Sequence, residues 1–310
     1  MKVVTSMNAP THRHFDLIRS QVSASSPRAN ANLGPLPEWN LKDLYPAIDS
    51  KELADDFEWV TTEAKKFAER YKGKLAALAA DSNASKTLHE AIVAYEAIDD
   101  RLGRIMSYAA LVYTGDTTDP VFSKFYGDTQ DRATTISTEL LFFMLELNRI
   151  DDAILDAAAA KPPLAHYKPW LIDIRLEKPY QLDDQLEQVF LEKSVTGASA
   201  WNRLFDDTMA ALRFSFDGEE LTLEPILNKF QDPDEAVRRR ASDALVKTFK
   251  ANLRAFALIT NTLAKDKEIS DRWRGFKDIA DSRHLSNRVE REVVEALVSA
   301  VRQAYPRLSH

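Results

Sequence analysis

The chain contains 310 residues and no cysteine, and its 48 acidic side chains outnumber its 41 basic ones. The absence of cysteine excludes disulfides, iron–sulfur clusters, thiolate zinc sites and a cysteine nucleophile, and the acidic balance argues against a nucleic-acid partner, which would need a basic surface. Only eight glycines occur, with no GxGxxG or Walker-type loop, so the composition favours a mainly helical fold. No apolar run approaches the roughly 20 residues of a membrane span, so we expect no membrane partner and a cytoplasmic location.

Residues 1–35 are rich in Ser, Asn, Ala and Pro and show no periodic apolar positions. This composition predicts a disordered lead. No apolar stretch follows Lys2, so a secretory signal is not expected, while a transit-like peptide is the weaker alternative.

Long amphipathic helices are predicted in the first half of the ordered chain. Asp49 or Ser50 can cap a helix that runs to about Tyr71. Apolar residues at three- and four-residue spacing predict a second helix from Ser85 to about Tyr113. Asp119-Pro120 supplies a cap and an N1 proline for a third helix, which should lie antiparallel to the second.

The middle of the chain is predicted to contain shorter elements. A helical segment lies near 164–176, and helices follow over 183–194 and from residue 199 to about residue 211. The stretch near 211–223 alternates around Asp217-Gly218, a pair that suits a type I′ turn, and it predicts one small β-hairpin.

Beyond the hairpin, Asp232-Pro233-Asp234-Glu235 predicts a helix that begins at Asp232, and the helical pattern continues to Arg272. A last helix is predicted over 288–305, with Asn287 and Glu290 as a capping-box pair. Its apolar stripe contains Val289, Val293, Leu297 and Val301, which we expect to be exposed.

In a chain without cysteine, the histidines are the main candidate zinc ligands. His89-Glu90 begins an HExxH pattern, in which two histidines four residues apart hold the metal and the glutamate acts as general base. Val93 stands where the second histidine would be needed, so the chain has no such site. Asp99 lies near the apolar stripe of the second helix, and an ion pair with Arg101, Arg104 or an arginine of a facing helix is favoured over acid–base catalysis.

Guanidinium, imidazole and amide groups are concentrated between the last two predicted helices. The predicted substrate-binding residues there are Arg272, Arg274, Arg283, His284 and Asn287. A polar loop over 281–287 could bind peptide backbone or a carboxyl terminus through bidentate arginine contacts. The alternative is that these arginines bind the carbonyl groups at helix ends.

Several phrases occur in an order that resembles one protein family: LPEWNLKDLYP, SYAALVYTGDTTDP, LEKSVTGASAWNRLFDDTMAALRFSFDGEELTL, and NTLAKDKEISDRWRGFKDIADSRHLSNRVEREVVEALVSAVRQAYPRLSH. The family is oligoendopeptidase F, helical zinc metallopeptidases of the thimet-oligopeptidase type. The resemblance implies an all-α fold whose N-terminal helices form one wall of a deep channel for short unfolded peptides.

The resemblance also implies how the chain is organised. We expect a lead over 1–35, an N-terminal helical domain over 36–210, and, over 211–310, the hairpin with the first helices of a metallopeptidase catalytic domain. The family's zinc ligands and catalytic glutamate match no position here. We therefore expect zinc in the complete protein, none bound by this chain, no catalytic residue in it, and short peptides and a missing C-terminal catalytic half as its partners.

The rival interpretation is a helical scaffold for protein interactions. The stretch DPDEAVRRRASDAL resembles one helix of a HEAT repeat. A solenoid would repeat that text about every 40 residues, and it occurs once. The sequence therefore favours the peptidase.

Overall fold

The first part of the molecule is built from long helices, as the apolar periodicity predicted. The computed structural model describes residues 39–308, and the predicted disordered lead over residues 1–35 lies outside them. The first helices are α1 (Lys51–Tyr71), α2 (Leu75–Ala80), α3 (Ala84–Gly115) and α4 (Pro120–Arg149).

Local capping explains where two of these helices begin. The Ser50 side chain accepts a hydrogen bond from the Leu53 N–H at the start of α1. The Asp119 carboxylate accepts from the N–H groups of Val121 and Phe122, and the missing N–H of Pro120 costs nothing at the first helical position. Both starts agree with the sequence prediction.

Shorter elements follow α4 and lead into a hairpin. They are α5 (Asp152–Ala159), α6 (Lys168–Arg175), α7 (Asp184–Ser194), α8 (Ala198–Ala211), β1 (Phe214–Phe216) and β2 (Glu219–Leu221). The strands are antiparallel, with Phe214 opposite Leu221. Asp217 and Gly218 both have positive φ values, 47° and 87°, as a type I′ turn requires. The hairpin prediction is confirmed.

The last part of the described chain contains one very long helix. Its elements are α9 (Leu223–Asn228), α10 (Glu235–Arg274), α11 (Asp281–Asn287) and α12 (Arg291–Leu308). The predicted helix start at Asp232 is wrong by three residues. The Asp232 carboxylate accepts from the Asp234 N–H at 2.9 Å in a turn, so Asp234 becomes the cap, accepting from Ala236 N–H.

Two hydrophobic clusters are present among residues 39–308. The larger one joins α1 to α6 and contains Phe57, Phe67, Phe143 and Trp170. The smaller one joins the hairpin to α9 and to the first turns of α10, around Phe214 and Ile226. The division of the chain into domains at 210/211 stays a prediction. Within the described residues, no helix is long and apolar enough to cross a membrane.

The final helix α12 has no buried residue, although it is strongly amphipathic. Its exposed apolar residues are Val293, Leu297, Val298, Val301, Tyr305 and Leu308. Leu297 keeps 64% and Val301 45% of its surface in contact with solvent. Exposed apolar residues favour association when they form a contiguous patch larger than about a few hundred Å².

We predict that the chain self-associates through this face and that Leu297→Glu combined with Val301→Lys reduces the association. The new pair has the i, i+4 order that supports a helix, so helicity should be kept. Light scattering coupled to size-exclusion chromatography measures the change. Ser299→Glu with Gln303→Lys places the same pair on the opposite face and should leave association unchanged. A monomeric parent chain that does not bind a hydrophobic dye would contradict the prediction.

Candidate functional site

The residues predicted to bind substrate lie at the end of α10 and on α11. Arg272 and Arg274 belong to the last turn of α10, and Arg283, His284 and Asn287 belong to α11. The segment predicted as a loop over 281–287 is therefore a short helix. The predicted Asn287–Glu290 capping box is also wrong, because Asn287 ends α11 and α12 begins only at Arg291.

Gly275 separates the two helices. It has a left-handed conformation with φ 82°, and its N–H donates to the Arg272 carbonyl. The next N–H, of Phe276, donates to the Asp271 carbonyl at 3.0 Å. This pair of bonds is a Schellman motif, which uses glycine because a side chain disfavours positive φ. The chain therefore turns sharply and returns toward α7.

Arg274 is committed to a contact within the protein. Its two terminal nitrogens donate to the two carboxylate oxygens of Glu187, at 2.7 and 2.8 Å, and one of them also donates to the Tyr180 carbonyl. The side chains of Arg274 and Glu187 are only 14% and 8% exposed. Beside them, the Phe276 ring stacks on Tyr180 with 4.0 Å between ring centroids. Buried bidentate pairs of this kind are strong and geometrically specific.

The other predicted site residues have fewer contacts. Arg272 donates to Glu268 at 3.0 Å within α10, on the surface. No side-chain hydrogen bond or ion pair to another described residue occurs at Arg283, His284 or Asn287 in the 39–308 range. Arg283 and His284 are half-buried and Asn287 is exposed. The role of all five residues in substrate binding stays a prediction, and the three on α11 have no such partner among residues 39–308.

Arg288 was missed as a site-forming residue by the sequence analysis. It follows α11 with a left-handed φ of 52°, and its guanidinium donates twice to Asp173, at 2.7 and 3.1 Å, and once to Glu177, at 2.9 Å. A further donation goes to the Leu285 carbonyl at the end of α11. Burial raises the pKa of the Glu177 carboxyl, and the positive charge of Arg288 opposes that rise. Partners 111 and 115 residues away leave no local signal in the sequence.

His89, which begins the HExxH-like pattern, lies on α3. The His89 ring lies 5.6 Å from the Tyr167 ring, between centroids, and Glu90 forms a surface pair with Arg70. The residue one turn further along α3 is Val93, which cannot bind a metal. Residues 39–308 contain no group of three or more His, Cys, Asp or Glu side chains placed to hold a metal ion. The residues present do not fit a catalytic zinc ion.

The predicted ion pair at Asp99 is wrong. Arg101 and Arg104 contact Asp56 of α1 instead, at 3.4 and 3.9 Å. Residues two and five positions along a helix are displaced by about 200° and 140°, so these arginines cannot turn back to Asp99. Burial, followed by the negative charges of Asp100 and Glu96, raises the pKa of Asp99 to about 6.

The fold matches that of the N-terminal part of a helical oligoendopeptidase. A crystal structure of oligoendopeptidase-F from Enterococcus faecium superposes with a TM-score of 0.72 at 18% sequence identity, over 83% of this chain and 51% of that chain. The all-α prediction with one hairpin is confirmed.

Sequence comparison also finds similarity to oligopeptidases of this type. The Oligopeptidase F family model matches residues 146–214. Oligopeptidase PepF of Bacillus subtilis is 25% identical over 87% of this chain, and an oligoendopeptidase F homolog of Borreliella burgdorferi is 23% identical over 69% of it. These matches make the chain similar to the oligopeptidase F family. It spans 40% and 36% of the length of these two curated relatives.

Asp99 yields a pH-dependent prediction. The folded chain keeps a proton on Asp99 up to a pKa of about 6, whereas the ordinary value is 3.8. The contribution of Asp99 to the free energy of unfolding is therefore most favourable at pH values below its ordinary pKa, and it is lost as the pH rises to about 6. Since Asp99 is partly exposed, we expect Asp99→Asn to stabilise the chain by on the order of 1–2 kcal/mol at neutral pH, and by little in acid.

Urea unfolding at both pH values measures this difference. The control is Asp156→Asn, which removes an exposed carboxylate of α5 and should change stability by less than about 0.5 kcal/mol. Equal effects of Asp99→Asn in acid and at neutral pH would show that the carboxyl is not perturbed.

Proposed function

We propose that this chain provides part of the peptide-binding wall of a zinc-dependent oligoendopeptidase, which hydrolyses peptide bonds in short unstructured peptides in the cytoplasm. The family match and the 25% identity to Oligopeptidase PepF support the reaction class. Zinc and the catalytic groups would come from a C-terminal catalytic half. This chain alone would be inactive, because its residues do not fit the metal.

The observation that carries the binding role is the set of unengaged donors on α11. Most arginines near this helix are already paired: Arg274 with Glu187, Arg288 with Asp173 and Glu177, and Arg291 with Asp281. Arg283 is half-buried next to them and has no ion-pair partner among residues 39–308. A guanidinium that is partly dehydrated and unpaired gains most from a carboxylate or a peptide carbonyl supplied by a ligand.

The chemistry of α11 suits a peptide as ligand. Arg283 can bind a terminal carboxylate or backbone carbonyls with two parallel donations, while the His284 ring and the Asn287 amide can donate or accept. Arg272 and Arg274 would act less directly, because each already donates to a carboxylate of the chain. The arrangement binds and orients a peptide and provides no nucleophile.

The alternative scaffold function receives less support. The stretch that resembles a HEAT helix opens α10, a single helix of 40 residues. A HEAT repeat of similar length would fold as two or three packed helices. The gene sequence beyond codon 310 discriminates the two functions: an HExxH motif supports the peptidase, and further helical repeats support the scaffold.

We predict that the purified chain retains no stoichiometric zinc after dialysis and does not hydrolyse a quenched fluorescent peptide, with or without added zinc. The physical reason is that Val93 occupies the position of the second histidine in the HExxH spacing. Metal analysis and the fluorescence assay measure this. One tightly held zinc per chain, together with hydrolysis that a chelator abolishes, would refute it.

We also predict that Arg283→Ala weakens binding of a labelled short peptide to this chain by about 10- to 100-fold, the loss expected for one charge-assisted contact. Fluorescence anisotropy measures the affinity, and a melting curve reports on folding. Arg239→Ala is the matched control, since its exposed guanidinium is paired with Glu235 at the start of α10, and it should change affinity by less than about twofold. Equal affinities of parent and Arg283→Ala would remove α11 from the site.

A further inference from the structure

The helix that carries the proposed peptide-binding residues is attached to the rest of the protein at both ends by arginines. Arg274 lies just before the Gly275 turn and binds Glu187. Arg288 lies just after α11 and binds Asp173 and Glu177. All three acceptors belong to residues 173–187, a segment that contains the end of α6 and the start of α7. We call it the 173–187 segment.

Apolar packing contributes little to the position of α11. The helix contains no buried residue, and neither does the following α12. Its other attachments are also polar: Lys267 of α10 donates to the Ile279 carbonyl at 2.9 Å and to the Ser282 hydroxyl at 2.8 Å. Phe276, which precedes α11, stacks on Tyr180, so this contact also reaches the 173–187 segment. The orientation of α11 therefore depends on side-chain hydrogen bonds to charged groups.

The two arginines differ in how deeply their ion pairs are buried. Arg274 is deeply buried with its carboxylate, so breaking that pair would leave a charge without solvent or partner. Arg288 is 25% exposed and its two acceptors are 36% and 38% exposed. Water can replace these partners at a lower cost, so Arg288 is the attachment that can be released while the fold persists.

We propose that Arg288 is a positioning residue, a role that rests on the proposed function. Arg288 holds α11 on the 173–187 segment and so fixes where Arg283 and His284 meet a peptide. Arg274 is the permanent attachment and Arg288 the releasable one. Peptide affinity then depends on a contact that does not touch the peptide.

Hydrogen exchange measured by mass spectrometry on the 310-residue chain tests the attachment without any peptide. The variant is Arg288→Asn, because asparagine tolerates the left-handed backbone that Arg288 adopts. Amide exchange in residues 281–287 should accelerate about tenfold or more, while exchange in α3 stays unchanged. Arg239→Asn, which removes a surface arginine that is paired within α10, is the matched control and should leave exchange in residues 281–287 unchanged.

A second variant keeps the test decisive even if Arg288→Asn fails to fold. Asp173→Asn with Glu177→Gln removes the acceptors and leaves residue 288 intact, and it should accelerate exchange in the same seven-residue helix. Combining it with Arg288→Asn should add nothing further, since all three changes break the same contact. Unchanged exchange in both variants, or faster exchange spread over α3, would overturn the positioning role.

Peptide anisotropy separates this proposal from the proposed function. Arg288→Asn should weaken peptide binding at least about fivefold with an unchanged melting temperature, and Arg288→Lys should restore part of it through its charge. If the parent chain binds no peptide, the proposed function fails while the exchange result still decides the attachment. If the parent binds and Arg288→Asn binds equally well, the positioning role fails alone.

Discussion

The buried pair between Arg274 and Glu187 is the constraint on which the second half of the molecule depends. Glu187 also accepts from the Leu182 N–H, so one carboxylate fixes the start of α7 and the end of α10 together. Removal of either partner would leave a buried charge, at a cost of about 3–5 kcal/mol. Neither hydrophobic cluster includes a residue of α7 or of the last turns of α10, so neither replaces this pair. The 40-residue α10 is thereby attached at its far end, well away from the smaller cluster around its first turns.

This constraint bears on the peptide binding that we propose for α11. A recognition helix needs a defined orientation, yet donors that are used to build the protein are not free for a ligand. Here Arg274 and Arg288 supply the orientation, and Arg283 remains unpaired within the described residues. Catalysis is a separate matter, because this chain contains no two histidines one helical turn apart. The chain spans 40% of Oligopeptidase PepF, and recognition and hydrolysis would reside in different parts of one protein.

The sequence predicted features that depend on short-range hydrogen bonds. Ser50 and Asp119 cap their helices as residue type and spacing suggested, and Asp217-Gly218 forms the turn that its backbone preference demands. The apolar stripe of α1, which is buried from Leu53 to Phe67, could also be predicted, because helical periodicity is visible among neighbouring residues.

Long-range pairing could not be predicted. Arg274 and Arg288 find carboxylates 87 to 115 residues away, and a single sequence does not say which of many acids will be near. The same limit explains the wrong partner for Asp99, whose neighbouring arginines turn to Asp56. The α11 helix was missed because its seven residues are too few to show a period, and the polar composition resembled a loop.

Photo-crosslinking tests the central claim most directly. A short unstructured peptide that carries a diazirine would be irradiated with the chain, and the linked residues would be mapped by mass spectrometry. Peptide binding at α11 predicts links concentrated in residues 276–290 and competed by unlabelled peptide. Competed links confined to α1–α4, with none near Arg283, would contradict it.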